Sequence, residues 1–432
     1  MSAASRTAPR LADASPWLAL TSGFLGWLFD AMDLNLFVLV MIPALRDLTG
    51  ATSPAVLARI GGLIVAGKVL GWGLGGVAFG LVADRIGRSA TLVWTIAIYA
   101  VFTGLSGLAG SWPWLALWQF LAGLGIGGEW AAGAALVAET YPDKSRARAM
   151  QVMQMAYPFG VFLAGGLAIL LGPIGWRFVL LAGIVPVAAA AFVRLLVPEP
   201  RRWRDARAGA RARAAAGGRP DTAAATFAAI FAPGIRKDTL IGLLAALALM
   251  TGTWAAFTLL PGWIAEMLGP RAAAQAAGAV GHAFILMNLG TVAGFLALMG
   301  LIDRIGRRWC YFLFCAGLLA TILYLFRART TLPELERLLP LLGFCFGGSF
   351  GTLAVWLPEL FPTAIRATGQ GFCYNMSRLL TAPGPLVAGI LVGTFGSIPR
   401  ACAAVSLVLI LGLVAIWFGT ETKGRALPEE AG

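Results

Sequence analysis

Charge is what this chain has least of. Only 12% of its 432 residues are Asp, Glu, Lys or Arg, and it holds one histidine, His282. A soluble globular domain carries about 25% charged residues, so a water-soluble fold is excluded. Cysteine is equally sparse. Cys310, Cys315, Cys345, Cys373 and Cys402 lie in apolar stretches with no C-x-x-C among them. That pattern fits small buried hydrophobes and argues against a disulfide framework or a thiolate metal site. The chain also lacks a G-x-x-x-x-G-K-[ST] phosphate loop, a metal-ligand cluster and a nucleophile–base pattern. The expectation is therefore neither an enzyme nor an ATP-driven pump, with no metal and no cofactor.

What the chain has in excess is apolar length. Hydrophobic residues make up 59% of it, with mean hydropathy +0.81. Runs of about 20 apolar residues recur from end to end and are continuous rather than alternating, which predicts membrane-crossing helices and not a barrel. Gly, Pro and charge clusters divide the chain into twelve spans: 17–45, 55–83, 90–109, 113–140, 147–171, 176–197, 238–268, 274–302, 309–327, 337–360, 364–395 and 398–418. The predicted fold is all-α and polytopic, with two six-helix bundles at 17–197 and 238–418. A polar tail (1–16), a basic linker (198–237) and a short tail (419–432) complete it. The first span is too long for a signal-peptide core and is read as an uncleaved helix.

The net charge of +13 does not imply nucleic acid, because basic residues in a membrane protein answer first to topology and anionic lipid. Lys and Arg concentrate on one set of loops, and that bias predicts both termini in the cytoplasm and insertion in a cytoplasmic (inner) membrane. The linker, "PEPRRWRDARAGARARAAAGGRP", reads either as a helix on the anionic leaflet or as a solvated connector.

The two halves repeat one another. "GLVADRIGR" (80–88) matches "GLIDRIGRR" (300–308), placing Asp84 and Asp303 219 residues apart. "ETYPDKSR" (139–146) matches "ELFPTAIR" (359–366): Glu139, Pro142 and Arg146 pair with Glu359, Pro362 and Arg366 at an offset of 220. Two matches at nearly one offset indicate a tandem six-plus-six duplication, an arrangement associated with alternating access. The repeated G-x-x-x-D-R-x-G-R element resembles the signature of the major facilitator superfamily, and the resemblance covers essentially the whole chain. "GIGGEWAAGAALVAETYPDKSRARAM" and "LPELFPTAIRATGQGFCYNMSR" are similar to the metabolite:proton and sialate:proton symporter branches, which include carriers of lactate and other organic acids. "PEPRR" and "ETKG" resemble endings seen in sugar-porter relatives.

The duplication sorts the charges. Features present in both halves belong to the shared scaffold: Asp84, Arg85 and Arg88 with Asp303, Arg304, Arg307 and Arg308, and Glu139 and Arg146 with Glu359 and Arg366. At loop ends they are expected to form gating networks that hold one conformation and break in another. Unmatched charges are the functional candidates. Asp30 and Asp33, at i,i+3 in "GWLFDAMDLNLFVLVMIP", share a helix face, and like charges there disfavour double ionisation in low dielectric. With Glu129 and His282 they form the proton-coupling candidates. A buried bridge from Asp30, Asp33 or Glu129 to Lys68 is the competing structural role. Arg378 offers a permanent charge and a fork that matches a carboxylate. Asn375, Lys68, Gln154, Tyr157 and Asn288 are the further substrate-binding candidates, though interhelical packing explains such neutral groups as well.

The expectation is a secondary symporter, acting as a monomer in the bilayer, that imports a small organic anion such as a monocarboxylate with protons. Proton-driven efflux of drugs or metabolites is the alternative. A transporter-like sensor would call for a soluble signalling domain.

Overall fold

A computed structural model describes residues 15–217, 222–269, 273–326 and 330–429. Of the predicted N-terminal tail, residues 1–14 lie outside these. The described residues form helices and loops. The first half runs α1 (Pro16–Thr49), α2 (Pro54–Ile86), α3 (Arg88–Ser106), α4 (Trp112–Thr140), α5 (Asp143–Leu171), α6 (Trp176–Leu181) and α7 (Val187–Leu196). Two linker helices follow, α8 (Arg201–Ala215) and α9 (Ala223–Ala229). The second half runs α10 (Arg236–Leu268), α11 (Ala273–Ile305), α12 (Arg307–Leu325), α13 (Leu332–Glu359), α14 (Arg366–Thr381), α15 (Gly384–Phe395), α16 (Ile398–Ser406) and α17 (Leu409–Ala415).

Helix ends follow local chemistry. Proline opens α1 and α2, where a missing N–H costs nothing. Gly50 closes α1 in the left-handed conformation and donates its N–H to the Arg46 carbonyl. The glycines of the repeated D-R-x-G-R element do more. Gly87 and Gly306 take φ of 118° and 93°, and a Cβ there would meet the carboxylates of Glu199 and Glu421 at 2.2 and 2.8 Å. Only glycine satisfies both demands.

Eleven helical stretches among the described residues are long and apolar enough to cross a membrane. The expected span 364–395 is delivered instead as α14 and α15. Pro383, which lacks an amide hydrogen, sits at the junction. The sixth and last spans also change geometry midway, at a 3₁₀ turn over Ala182–Ile184 and at Leu407–Val408. Large apolar side chains such as Ile169, Leu195 and Phe418 stay on the outer surface, as a bilayer-facing wall requires.

Close packing repeats with the duplication. A Cβ on Gly127 of α4 would lie 2.0 Å from the Trp72 carbonyl of α2, and one on Gly343 of α13 would lie 1.9 Å from the Met287 carbonyl of α11. Small residues let these backbones touch. The halves meet where α2 and α4 pack on α14, and α5 packs on α11 and α13. That seam holds everything below.

Candidate functional site

One end of the seam is stitched by ion pairs. Arg88 forks onto Glu139, with Nε–Oε2 at 3.1 Å and Nη2–Oε1 at 2.8 Å. The same Glu139 Oε1 accepts Arg366 Nη1 from the other half at 2.8 Å. In the second half Arg307 forks onto Glu359 at 2.9 and 3.0 Å, and Arg146 crosses the seam to Glu359 Oε1 at 3.1 Å. Each acid thus binds one arginine from its own half and one from the other. All four arginines are nearly fully buried, so breaking any pair leaves an uncompensated charge.

The duplication is not symmetric at Asp84 and Asp303. Asp84 reaches across to the first turn of α14, accepting from the Ala367 and Thr368 amides at 3.2 and 2.8 Å and from the Thr368 hydroxyl at 2.6 Å. It satisfies orphan N–H groups at a helix start, where the dipole favours an anion. Each aspartate pairs with the arginine four residues on, Asp84 with Arg88 at 3.0 Å and Asp303 with Arg307 at 3.1 Å, but Asp303 is 40% exposed and makes no bond across the seam among the described residues. Of the two other expected gating residues, Arg85 is half-buried, and Arg304 is exposed with its carbonyl accepting from Lys423.

Three residues absent from the expected set complete it. Glu199, after α7, accepts from the Arg88 and Ala90 amides at 2.7 and 2.9 Å. Glu421 accepts from the Arg307 and Arg308 amides at 3.0 Å each. Thr422 donates to Glu359 at 2.5 Å. The signal lay in "PEPRR" and "ETKG", each placing one acid just after a bundle. Burial raises the Glu199 carboxyl above its ordinary range against the amides of Ala90, Arg88 and Ser89. For Glu421 burial also raises, but the amides of Arg308, Arg307 and Lys423 outweigh it and hold the carboxyl below that range.

Deeper in the first half lie the acids. Asp30, Asp33, Glu129 and Lys68 are each at most 2% exposed. Lys68 Nζ donates to Asp33 Oδ2 at 3.0 Å and to the Asp33 carbonyl at 3.2 Å. Lys68 is therefore used on Asp33, and not on Glu129 or Asp30. Both carboxylate oxygens of Asp30, and both of Glu129, lack a hydrogen-bond partner among the described residues. Asp30 follows one turn after Gly26 on α1, the residue against which Glu129 packs. Gly26 makes the room: a Cβ there would fall 2.1 Å from Glu129 Oε1. The acids are thus divided into a paired aspartate and an unpartnered Asp30–Glu129 set.

Beside them a cavity of about 360 Å³ runs between the halves. It extends from Trp27, Gln154 and Tyr157 at its depth to Val38, Val65, Thr258 and Thr381 toward the end opposite the ion pairs. Among the described residues, Arg378 is the one charged residue in its wall. The guanidinium lies 3.6 Å from the ring centroid of Trp72 and donates from Nη2 to the Tyr374 hydroxyl at 3.1 Å. Trp72 was not singled out by sequence. Its only signal was its place one turn beyond Lys68 on a glycine-lined helix.

Gln154 and Tyr157 line this cavity as expected candidates, but several others do not. Asn375 is fully buried against Gly76 of α2 and donates to its own helix at Gly371. Asn288 donates to the Phe284 carbonyl, also within its helix. Lys68 is occupied by Asp33. His282 is 57% exposed and faces Glu336 of α13 at 3.3 Å. It lies two to three turns from the far end of α11, away from the deep acids, so it does not join them.

Two pseudo-symmetric helical bundles, sewn together at one end and enclosing a cavity between them, define a major facilitator carrier. The chain belongs to the sugar (and other) transporter family, whose model matches residues 39–431. It is 30% identical over 412 residues to a probable 4-methylmuconolactone transporter of Cupriavidus pinatubonensis, covering 93% of this chain and 90% of that one. It is 30% identical over 378 residues to a cis,cis-muconate transport protein of Acinetobacter baylyi, covering 87% of each. Among solved structures, the proton:xylose symporter XylE superposes with a TM-score of 0.77 at 19% identity, over 96% of this chain and 98% of that one. At that identity the likeness shows the fold. The protein is an integral membrane transporter of small molecules, and not an enzyme.

Proposed function

We propose that the protein imports a small organic anion together with protons, by alternating access, as a monomer with both termini in the cytoplasm. The observation that carries this reading is Arg378, a permanent cation in the wall of a cavity that no carboxylate lines among the described residues. A cationic drug would meet that charge, which disfavours the efflux of cationic drugs. The relatives named for muconate and methylmuconolactone carry carboxylates or their lactones, in keeping with an anion.

The Asp30–Glu129 set is the proton site in this reading. A buried carboxylate without a donor is costly when charged, and two facing each other are more so. Ionised Asp30 attracts Arg378 and competes with substrate. Protonated Asp30 leaves the guanidinium to the substrate carboxylate. Proton and substrate then favour each other's binding by the same factor. The ion pairs at the basic end hold the carrier closed to the cytoplasm, and their breakage accompanies release inside. The proton is the coupling ion, and no cofactor is called for.

Proteoliposomes under an inward proton gradient test this, with labelled mono- and dicarboxylates. Acid-stimulated accumulation of at least one is expected, and its absence for all would sink the proposal. Arg378→Lys keeps the charge but loses the fork and the stacking on Trp72. Apparent affinity for the carboxylate should fall roughly 30-fold, or about 2 kcal/mol.

A further inference from the structure

We propose that the cavity selects flat, conjugated carboxylates, such as benzoate-like or diene acids, over hydroxylated ones such as lactate and gluconate. The inference rests on the reading of Arg378 as the carboxylate anchor.

Eight of the 21 residues lining the cavity are aromatic, against 11% in the whole chain. They come from both halves. Trp27 and Trp72 form one side, while Phe257, Phe346 and Phe350 form a cluster on the other, with centroid spacings of 4.7 and 4.4 Å. Rings at such spacings in edge and tilted arrangements present faces and edges that a further π-system can meet. Arg378 already sits over the Trp72 ring, so the cation stands at the margin of an aromatic wall and not in a polar nest.

The polar groups of the lining point the same way. The Thr253, Thr291 and Thr381 hydroxyls donate to the carbonyls of Leu249, Met287 and Ser377 in their own helices. The Asn35 amide donates to the Ala31 carbonyl, and Gln154 Oε1 is taken by the Trp130 indole. The three threonine hydroxyl hydrogens are spent inside the protein, and the free donors left in the lining are few, chiefly the Gln154 amide and the Tyr157 and Thr258 hydroxyls. What those threonines offer a substrate is methyl groups and acceptor oxygens. A polyhydroxylated acid would leave many of its own groups unpaired against this wall. Lactate would satisfy Arg378 and leave the rings uncovered.

The full-length protein in detergent micelles tests this through ligand-induced thermal stabilisation, since a ligand that binds only the folded state raises its apparent stability. The probes are benzoate, sorbate, cyclohexanecarboxylate, lactate, gluconate and neutral benzamide. Benzoate and sorbate should stabilise at concentrations at least tenfold below the saturated and hydroxylated acids. Cyclohexanecarboxylate matching benzoate would overturn the conjugated-acid preference. Lactate or gluconate matching it would overturn the proposal entirely, while leaving the anion reading intact. Benzamide matching benzoate would overturn the carboxylate reading beneath it. Phe346→Leu and Phe350→Leu keep apolar volume and remove the rings. Each should shrink the lead of benzoate over cyclohexanecarboxylate, and an undiminished lead in both would refute the aromatic wall.

Discussion

The four buried charges of the first half are best tested by removing them one at a time. Lys68 Nζ is the partner of Asp33 Oδ2, at 3.0 Å with both side chains at most 2% exposed, and Asp33 Oδ1 has no partner among the described residues. Lys68→Met therefore strands a buried carboxylate, and Asp33→Asn strands a buried ammonium. Breaking a buried pair from one side costs about 3–5 kcal/mol. Removing both partners together costs far less, so Asp33→Asn/Lys68→Met should recover most of that loss. The coupling in the double-mutant cycle should reach at least about 2 kcal/mol. Asp30→Asn and Glu129→Gln break no hydrogen bond, because no oxygen of either acid is engaged. Their stability should change by less than about 1 kcal/mol. Unfolding by SDS titration in mixed micelles measures the cycle, and proteoliposomes measure function on the same variants. Asp30→Asn should abolish proton-driven accumulation while keeping substrate exchange. Destabilisation by Asp30→Asn equal to that by Asp33→Asn, or additivity of the Asp33 and Lys68 changes, would refute the division into a structural and a titrating set.

Further outcomes follow from the stitched end. The chain after Glu421 straps across the seam: the Arg425 carbonyl accepts from Arg146 of the first half, and the Pro428 carbonyl accepts from Thr363 and Arg366 of the second. Deleting residues 424–432 should speed hydrogen exchange at 139–151 and 359–370 and leave α1 unchanged; equal rates would show that the strap bears no load. Asp84→Asn weakens the cap on α14 and should open the same end, whereas Asp303→Asn should not. Mass-resolved hydrogen exchange of the two variants compares them directly. The two capping glutamates differ in the sign of their pH dependence. Glu421 is held below its ordinary range, so its contribution is present at neutral pH and fades as pH falls through its folded value. Glu199 is held above, so its contribution is fullest below the ordinary glutamate range, about 4.3, and diminishes as pH rises through its folded value. The stability deficit of Glu421→Gln should therefore close on acidification, and that of Glu199→Gln should widen, in thermal melts between pH 4 and pH 7.

The fold was legible because its signals are local. Span length, glycine punctuation and the repeated D-R-x-G-R turn each occupy a few contiguous residues. The residues sharing Glu139 and Glu359 were legible for a related reason, since the duplication flagged them twice. What stayed hidden depends on side chains meeting from distant helices. Asn375 and Asn288 look like cavity residues by helix position, but each turns its amide to its own backbone. Trp72 looks like packing until Arg378, 306 residues later, is seen to lie on it. His282 drew notice for being the only histidine, and rarity along the chain says nothing of where a helix face points.

The duplication also explains why sorting charges by symmetry found the acids and yet could not rank them. Asp30, Asp33 and Glu129 are alike in having no acidic mate in the second half. The distinction lies in a single lysine, one helix away, that reaches only one of them. Symmetry carries the converse trap at Asp84 and Asp303, which match in sequence and in their arginine pair but not in bonds across the seam. Two halves of equal bonding would share the ionic end evenly. One aspartate capping a helix across the seam, with its twin left half-exposed on its own bundle, breaks that equality. The asymmetry puts this bond across the seam on the first half, the half that also holds the unpartnered acids.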